Sequence, residues 1–133
     1  MNTRRATALM STTLSLAALS AGVALAAPAS AIDIEIIEVA GCTRGSTITL
    51  SAAPGGGQLA LGVAVDGSGA GNIWSVTLTD NVAGVYAGLK RANAAGDVSV
   101  ARSTRDQSGT DNVVATAVNF RTGEFCLATL PVG

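Results

Sequence analysis

The sequence contains no histidine, and among its 133 residues there are only one tryptophan, one tyrosine, two phenylalanines, three prolines and two cysteines. Each scarcity removes a chemistry. Without histidine there is no Ser-His-Asp or Cys-His device and no histidine-based zinc site. Two thiols alone make a poor metal site, and a catalytic dithiol needs the C-x-x-C proximity that Cys42 and Cys126 lack. Sustained helical periodicity is missing as well, because glycine interrupts every window long enough to hold a helix. Ser68 in "DGSGAG" fails the G-x-S-x-G pattern because Asp66 stands at its first position. The same stretch misses the dinucleotide fingerprint, since Asn72 replaces the last glycine. We therefore expect no catalytic residue, no cofactor-binding residue, no metal ligand and no cofactor: the chain reads as a non-enzyme.

The chain begins "MNTRRATALMSTTLSLAALSAGVALAAPASA". Arg4 and Arg5 form a positive start, residues 6–27 are uncharged and apolar, and Ala29-Ser30-Ala31 is a small-x-small site of the kind signal peptidase accepts. This pattern predicts a signal peptide over 1–31, cut after Ala31, and one domain over 32–133. Val39-Ala40-Gly41-Cys42 resembles a lipobox, but Asp33, Glu35 and Glu38 separate it from the apolar run, and charges are costly at membrane depth. The expected product is secreted and extracellular, without a membrane anchor.

What remains after cleavage carries six basic and nine acidic residues, a net charge of −3. Its side chains are mostly Gly, Ala, Val, Thr and Ser, so each buried residue contributes less than a Leu or Phe would. A covalent brace suits so thin a core. In an oxidising space two cysteines pair, which predicts a structural Cys42–Cys126 disulfide. Closing a loop of 84 residues stabilises by about 4–5 kcal/mol in the chain-entropy model.

Short strand signals recur, divided by Gly, Pro, Asn and Asp. "IDIEIIEVA" alternates at Ile32, Ile34 and Ile36 and slips at Ile37, which predicts a bulge. "STITLSA", "QLALGVAV", "NIWSVTLT", "VAGVYAGLK" and "DVSVARST" follow, with Trp74, Val76 and Leu78 on one face and Val85, Ala87 and Leu89 alternating. "TDNVVATAVNF" is apolar on both faces, which predicts a central strand, and "EFCLATLPV" ends the chain. The fold class is all-β, a sandwich of about eight short antiparallel strands. If every connection reverses direction, an even count puts Cys42 and Cys126 at one pole, and an odd count separates them.

"GTDNVVATAVNFRTGEFCLATL" resembles the closing hairpin of bacterial immunoglobulin-like domains, matching at Gly109, Val113, Ala115, Ala117, Asn119 and Gly123. More broadly, "GCTRGSTITLSA", "IWSVTLTDN" and "RDQSGTDNVVATA" resemble a group of small secreted bacterial immunoglobulin-like β-sandwich proteins. The resemblance implies a fold and no chemistry. The chain departs from antibody-type domains: its cysteines lie near the ends, and Asp111 stands where a tyrosine-corner Tyr is expected.

Among polar residues, Asp33 and Glu35 share one face of the first strand and read as charge protecting an edge. Asp106 and Asp111 bracket "QSGT" and offer oxygens to Ca²⁺, but an EF-hand needs more ligands at closer intervals, so we read them as loop caps. Asp66 and Asp80 read as turn residues. A hairpin centred near Ala94 sets Lys90 and Arg91 apart from Arg102 and Arg105, and the chain is acidic, so nucleic acid is not an expected partner. Trp74 is expected in the core and Tyr86 on the surface. The reading is a monomeric, non-catalytic binding or envelope-associated module whose partner is an unidentified extracellular protein or small ligand. One alternative is a carrier of a small apolar ligand: secreted chromoprotein carriers are similar in size, acidity and composition but have two disulfides. Another is a secreted protease inhibitor, with "RANAAGD" as its loop.

Overall fold

The structure is a computed structural model, and it describes residues 34–67 and 69–133. The expected cleavage site at Ala29 and Ala31, together with Asp33 and Ser68, lies outside the described residues. Eight strands follow in order: β1 (Ile36–Gly41), β2 (Thr47–Gly55), β3 (Gln58–Asp66), β4 (Ile73–Asp80), β5 (Ala83–Arg91), β6 (Val98–Arg105), β7 (Asp111–Asn119) and β8 (Phe125–Val132). They form two four-stranded antiparallel sheets, ordered β1-β2-β3-β6 and β5-β4-β7-β8. The chain is an all-β sandwich.

Period-two alternation places the core. Ile48 and Leu50 on β2, Leu59, Leu61, Val63 and Val65 on β3, and Trp74, Val76 and Leu78 on β4 are all buried, as their alternation predicts. β4 faces small partners on β7, with Val76 opposite Ala117 and Leu78 opposite Ala115. That leaves room for the single large side chain, Trp74, to be fully enclosed. β7 lies between β4 and β8, the central place its two apolar faces predict.

Two connections interlock the sheets. The chain changes sheet at β3–β4, β5–β6 and β6–β7, and the first and last of these interlock because β3 pairs with β6 and β4 with β7. The even strand count brings the cysteines to one pole, where Cys42 and Cys126 form a disulfide with Cα atoms 4.4 Å apart. The bridge joins the end of β1 to the start of β8, so it ties one sheet to the other.

Three expectations need correction. The bulge near Ile37 is absent: β1 runs in unbroken register with β2 from Ile36–Ala52 to Gly41–Thr47. The slipped apolar residues instead face outward from an edge strand, with Ile37 and Val39 exposed. Glu38 shares the core-facing side with its partner Leu50, a charge that guards the edge against further pairing. Next, "RANAAG" does not join a paired hairpin, because β5 pairs with β4 and β6 with β3. The two strands meet across the side of the sandwich, which still brings Arg102 to 4.7 Å from the Tyr86 ring centroid. Finally, β5 turns Ala87 and Leu89 to solvent and Tyr86 toward the core rim. Tyr86 lies over Gly88, where a Cβ would stand 2.5 Å from the phenol oxygen.

The irregularity in sheet pairing that does occur is on β5. Register shifts between Leu78 and Thr79, leaving Val85 as the extra residue of a bulge. It adjoins a tight turn in which Asn81 and Val82 both take positive φ, 47° and 64°. Asn tolerates this conformation, but for a β-branched valine it is strained.

Candidate functional site

Two buried polar arrangements shape the ends of the sandwich. Glu124 is almost fully enclosed beside the disulfide. Its carboxylate accepts the backbone N–H groups of Arg44 and Ser46, both at 2.9 Å, and the Ser46 hydroxyl at 2.6 Å. Burial alone raises a carboxyl's pKa. Here the Ser46 hydroxyl, the two backbone donors and the Arg44 charge outweigh it and hold Glu124 below the ordinary glutamate range. Asn119 acts similarly one turn away, its Oδ1 accepting Arg121 N–H at 2.9 Å and Thr122 N–H at 3.2 Å. These bonds fix the 120–123 turn. Glu124 left no signal in the sequence, because its partners lie 78 and 80 residues away.

At the opposite end three carboxylates gather. Asp80 and Asp111 are buried, and among the described residues neither carboxyl oxygen of Asp80 has a hydrogen-bond partner. Burial, then the neighbouring Asp111 and Asp106, push the Asp80 carboxyl up, because no donor faces it unless it carries the proton itself. Asp106 is likewise raised, first through hydrogen bonding to the Asp111 side chain and then by burial and that neighbour's charge. Asp111 also accepts from Asn81 Nδ2 at 2.9 Å, so it ties the β4–β5 turn down. Among the described residues no three such side chains are placed to hold a metal ion. Asp80 is thus more than a turn residue, a role its place before Asn81 concealed.

The remaining sequence candidates do not converge. Glu35 precedes β1 and Glu38 lies within it. Asp66 meets Asp97, and its carboxyl is raised by burial and then by that neighbour. Trp74 is enclosed in the core, and Tyr86 is half-buried beneath Arg102.

The outward face of the β5-β4-β7-β8 sheet is different in kind. Cross-strand pairing builds a row Leu89–Ser75–Val118–Phe125 and beside it a row Ala87–Thr77–Thr116–Leu127. The Thr77 and Thr116 hydroxyls bond each other in its middle. Leu89 and Phe120 are each 62% exposed, and Phe125 and Leu127 are 41% and 47% exposed. No Asp or Glu occupies an outward position on these four strands. The opposite sheet presents mostly small residues, with Thr49, Ser51, Ala60, Gly62 and Ser99 facing out, and its exposed apolar side chains there, Ile37 and Val39, lie on the edge strand β1.

At one end of the apolar face lies an open groove of about 340 Å³, lined by Ala70, Gly71, Asn72, Ile73, Phe120 and Arg121. Its two walls are joined by backbone bonds: Phe120 N–H to Ile73 C=O at 3.0 Å, Gly71 N–H to Ala92 C=O at 3.1 Å, and Ala92 N–H to Asn72 C=O at 2.8 Å. Gly71 takes a φ of 76°, which favours glycine, and a Cβ there would meet open space. Arg91 donates to the Gly71 carbonyl at 3.2 Å. Sequence reasoning missed this face. The signal was present in Phe125 and Leu127, which alternate with the buried Cys126 and Ala128, so that β8 is apolar on both sides while forming a sheet edge. Compared with protein-family models, curated proteins and solved structures, the chain matches none.

Proposed function

We propose that the protein is a secreted, non-catalytic binding module, monomeric when unbound, that engages an extracellular partner through the outward face of the β5-β4-β7-β8 sheet. We also place it, on the resemblance of its closing hairpin, among small secreted bacterial immunoglobulin-like proteins. One observation carries the binding role: Leu89, Phe120, Phe125 and Leu127 stand exposed together on a face without a carboxylate, in a chain whose acidic residues outnumber its basic ones. Aromatic enrichment with depleted charge marks the centre of protein interfaces, and contiguous exposed apolar surface of this kind marks interaction sites. The disulfide is compatible with the oxidising exterior, and among the described residues no helix is long and apolar enough to cross a membrane.

The other two readings fare differently. A carrier holding its ligand between the sheets finds that space taken by Trp74, Leu50, Leu59 and Leu78, so ligand binding belongs to the outer groove. An inhibitor loop must be extended. The 92–97 loop closes on itself instead, with Asn93 N–H bonded to Asp97 C=O and Asn93 Oδ1 accepting from Ala95 and Asp97.

Site-specific photocrosslinking tests the face. A benzoylphenylalanine at Leu127 should trap a discrete adduct from the extracellular fraction of the producing cells, one that Leu89→Ser suppresses. The same probe at Ser99, outward on the other sheet, should trap none. Equal labelling from both faces, or none from Leu127, would overturn the assignment.

A further inference from the structure

We propose that the groove between the 70–72 loop and the 120–121 turn is a binding site for an amphipathic organic anion. The ligand has a compact apolar body and one carboxylate, sulfonate or phosphate group. This rests on the reading of the adjoining sheet face as a binding surface and names a ligand class for its end.

Three observations support it together. The first is shape and size: about 340 Å³ sits at the lower end of small-ligand sites, roughly 300–1,000 Å³. The second is that the groove is built in advance. Ile73 is part of the lining, and backbone bonds from Phe120 N–H to Ile73 C=O, from Gly71 N–H to Ala92 C=O and from Ala92 N–H to Asn72 C=O hold the walls without help from a ligand. Asn119 Oδ1 holds the Arg121 N–H, so the departure of that side chain from the turn is set as well. A preformed site spares the ligand the cost of ordering it.

The third is charge. Among the described residues no Asp or Glu lines the groove, and the charged residue of its lining is Arg121. Arg91 adds a second guanidinium behind the Gly71 wall. The apolar part of the lining is Ala70, Ile73 and the ring of Phe120, which is held 62% exposed at the rim. A guanidinium is weakly hydrated and meets planar anionic groups with two parallel donors. An aromatic wall with the Arg121 guanidinium beside it matches a ligand that is apolar at one end and anionic at the other. It disfavours a wholly neutral or a cationic one.

Anilinonaphthalene sulfonate is a fluorescent probe of this class, and Trp74, the sole tryptophan, adjoins Ile73 and serves as energy donor. Titrated against the oxidised full-length protein, it should bind saturably at one equivalent. Arg121→Gln should weaken it about tenfold, the loss expected for one charged contact. The uncharged probe Nile red should lose less than about twofold in the same variant. Phe120→Ser should weaken both probes, and Ser99→Thr, outward on the opposite sheet, should leave both unchanged. All three positions are exposed, and circular dichroism checks that each variant folds. Absence of saturable sulfonate binding, or equal affinity in Arg121→Gln and wild type, would overturn the proposal. If Leu127→Thr weakens the sulfonate while Arg121→Gln does not, the groove assignment fails and the sheet face survives as the binding surface. If Leu127 crosslinks no partner but Arg121→Gln weakens the sulfonate as expected, the sheet-face reading fails and the groove stands.

Discussion

Glu124 combines two contributions that substitution separates. Its two oxygens accept three donors, from Arg44 N, Ser46 N and Ser46 Oγ. A glutamine keeps the geometry: its carbonyl oxygen takes the two backbone donors, and its amide nitrogen donates to Ser46 Oγ. Only the charge is lost. A hydrogen bond to a charged group contributes about 1.5–3 kcal/mol net, against about 0.5–1.5 for a neutral one. Three weakened bonds, less the desolvation that a neutral amide avoids, put Glu124→Gln about 2 kcal/mol below wild type at neutral pH. For a domain of this size that is a fall in Tm of about 10 °C. Glu124→Ala also strands the buried Ser46 N–H, which raises the cost to about 3–4 kcal/mol.

Urea unfolding followed by Trp74 emission measures both variants, and pH gives the decisive readout. Because the folded pKa is lowered, the stabilisation is present above the unfolded value, about 4.3, and is lost as pH falls through the folded one. Wild type and Glu124→Gln should therefore converge toward about pH 2, where protonated glutamic acid resembles glutamine. The raised carboxyls of Asp66, Asp80 and Asp106 titrate in both proteins and cancel in the difference. Equal stability at neutral pH, or a gap undiminished in acid, would refute the assignment of this carboxylate as a charged anchor.

Asp80 has the opposite sign. Its raised pKa makes the fold bind the proton more tightly, so the contribution is full below the unfolded value, about 3.9, and is lost as pH rises through the folded one. Asp80→Asn, which supplies Asp111 with a donor, should be more stable than wild type at neutral pH by about 1–2 kcal/mol, with the advantage gone in acid; a loss at neutral pH would contradict the orphaned-carboxyl reading. Val82 is 97% exposed at a φ of 64°, so Val82→Gly relieves strain without losing packing. It should raise stability by about 1 kcal/mol in thermal unfolding, after allowance for the greater freedom of glycine in the unfolded chain; an unchanged or lower Tm would show that the turn carries no such strain.

Much of the sandwich is legible locally. Strict alternation in "QLALGVAV" and "NIWSVTLT" marks strands and their buried faces, because side-chain direction in a strand repeats every two residues. The doubly apolar β7 announces a central place, and strand parity puts Cys42 and Cys126 at one pole. Where both phases of a strand are apolar, alternation loses its power to tell core from surface. On β1 the residues expected to slip inward at a bulge, Ile37 and Val39, face solvent. On β5 the alternating Ala87 and Leu89 face solvent too, and Tyr86 turns to the core rim, because an edge strand has a neighbour on one side alone.

The sequence by itself determined the strand content, the absence of histidine chemistry and the pairing of the two thiols, since these depend on composition and on a two-residue period. Only the tertiary structure decided which apolar side chains are left over. Leu89 and Phe125 become one surface because β4 and β7 are interposed between their strands. Asn72 meets Phe120 across a groove, and Glu124 meets Ser46, through chain crossings that bring together residues dozens of positions apart. Local patterns carry no information on such encounters, because the free energy that selects them comes from packing two sheets face to face.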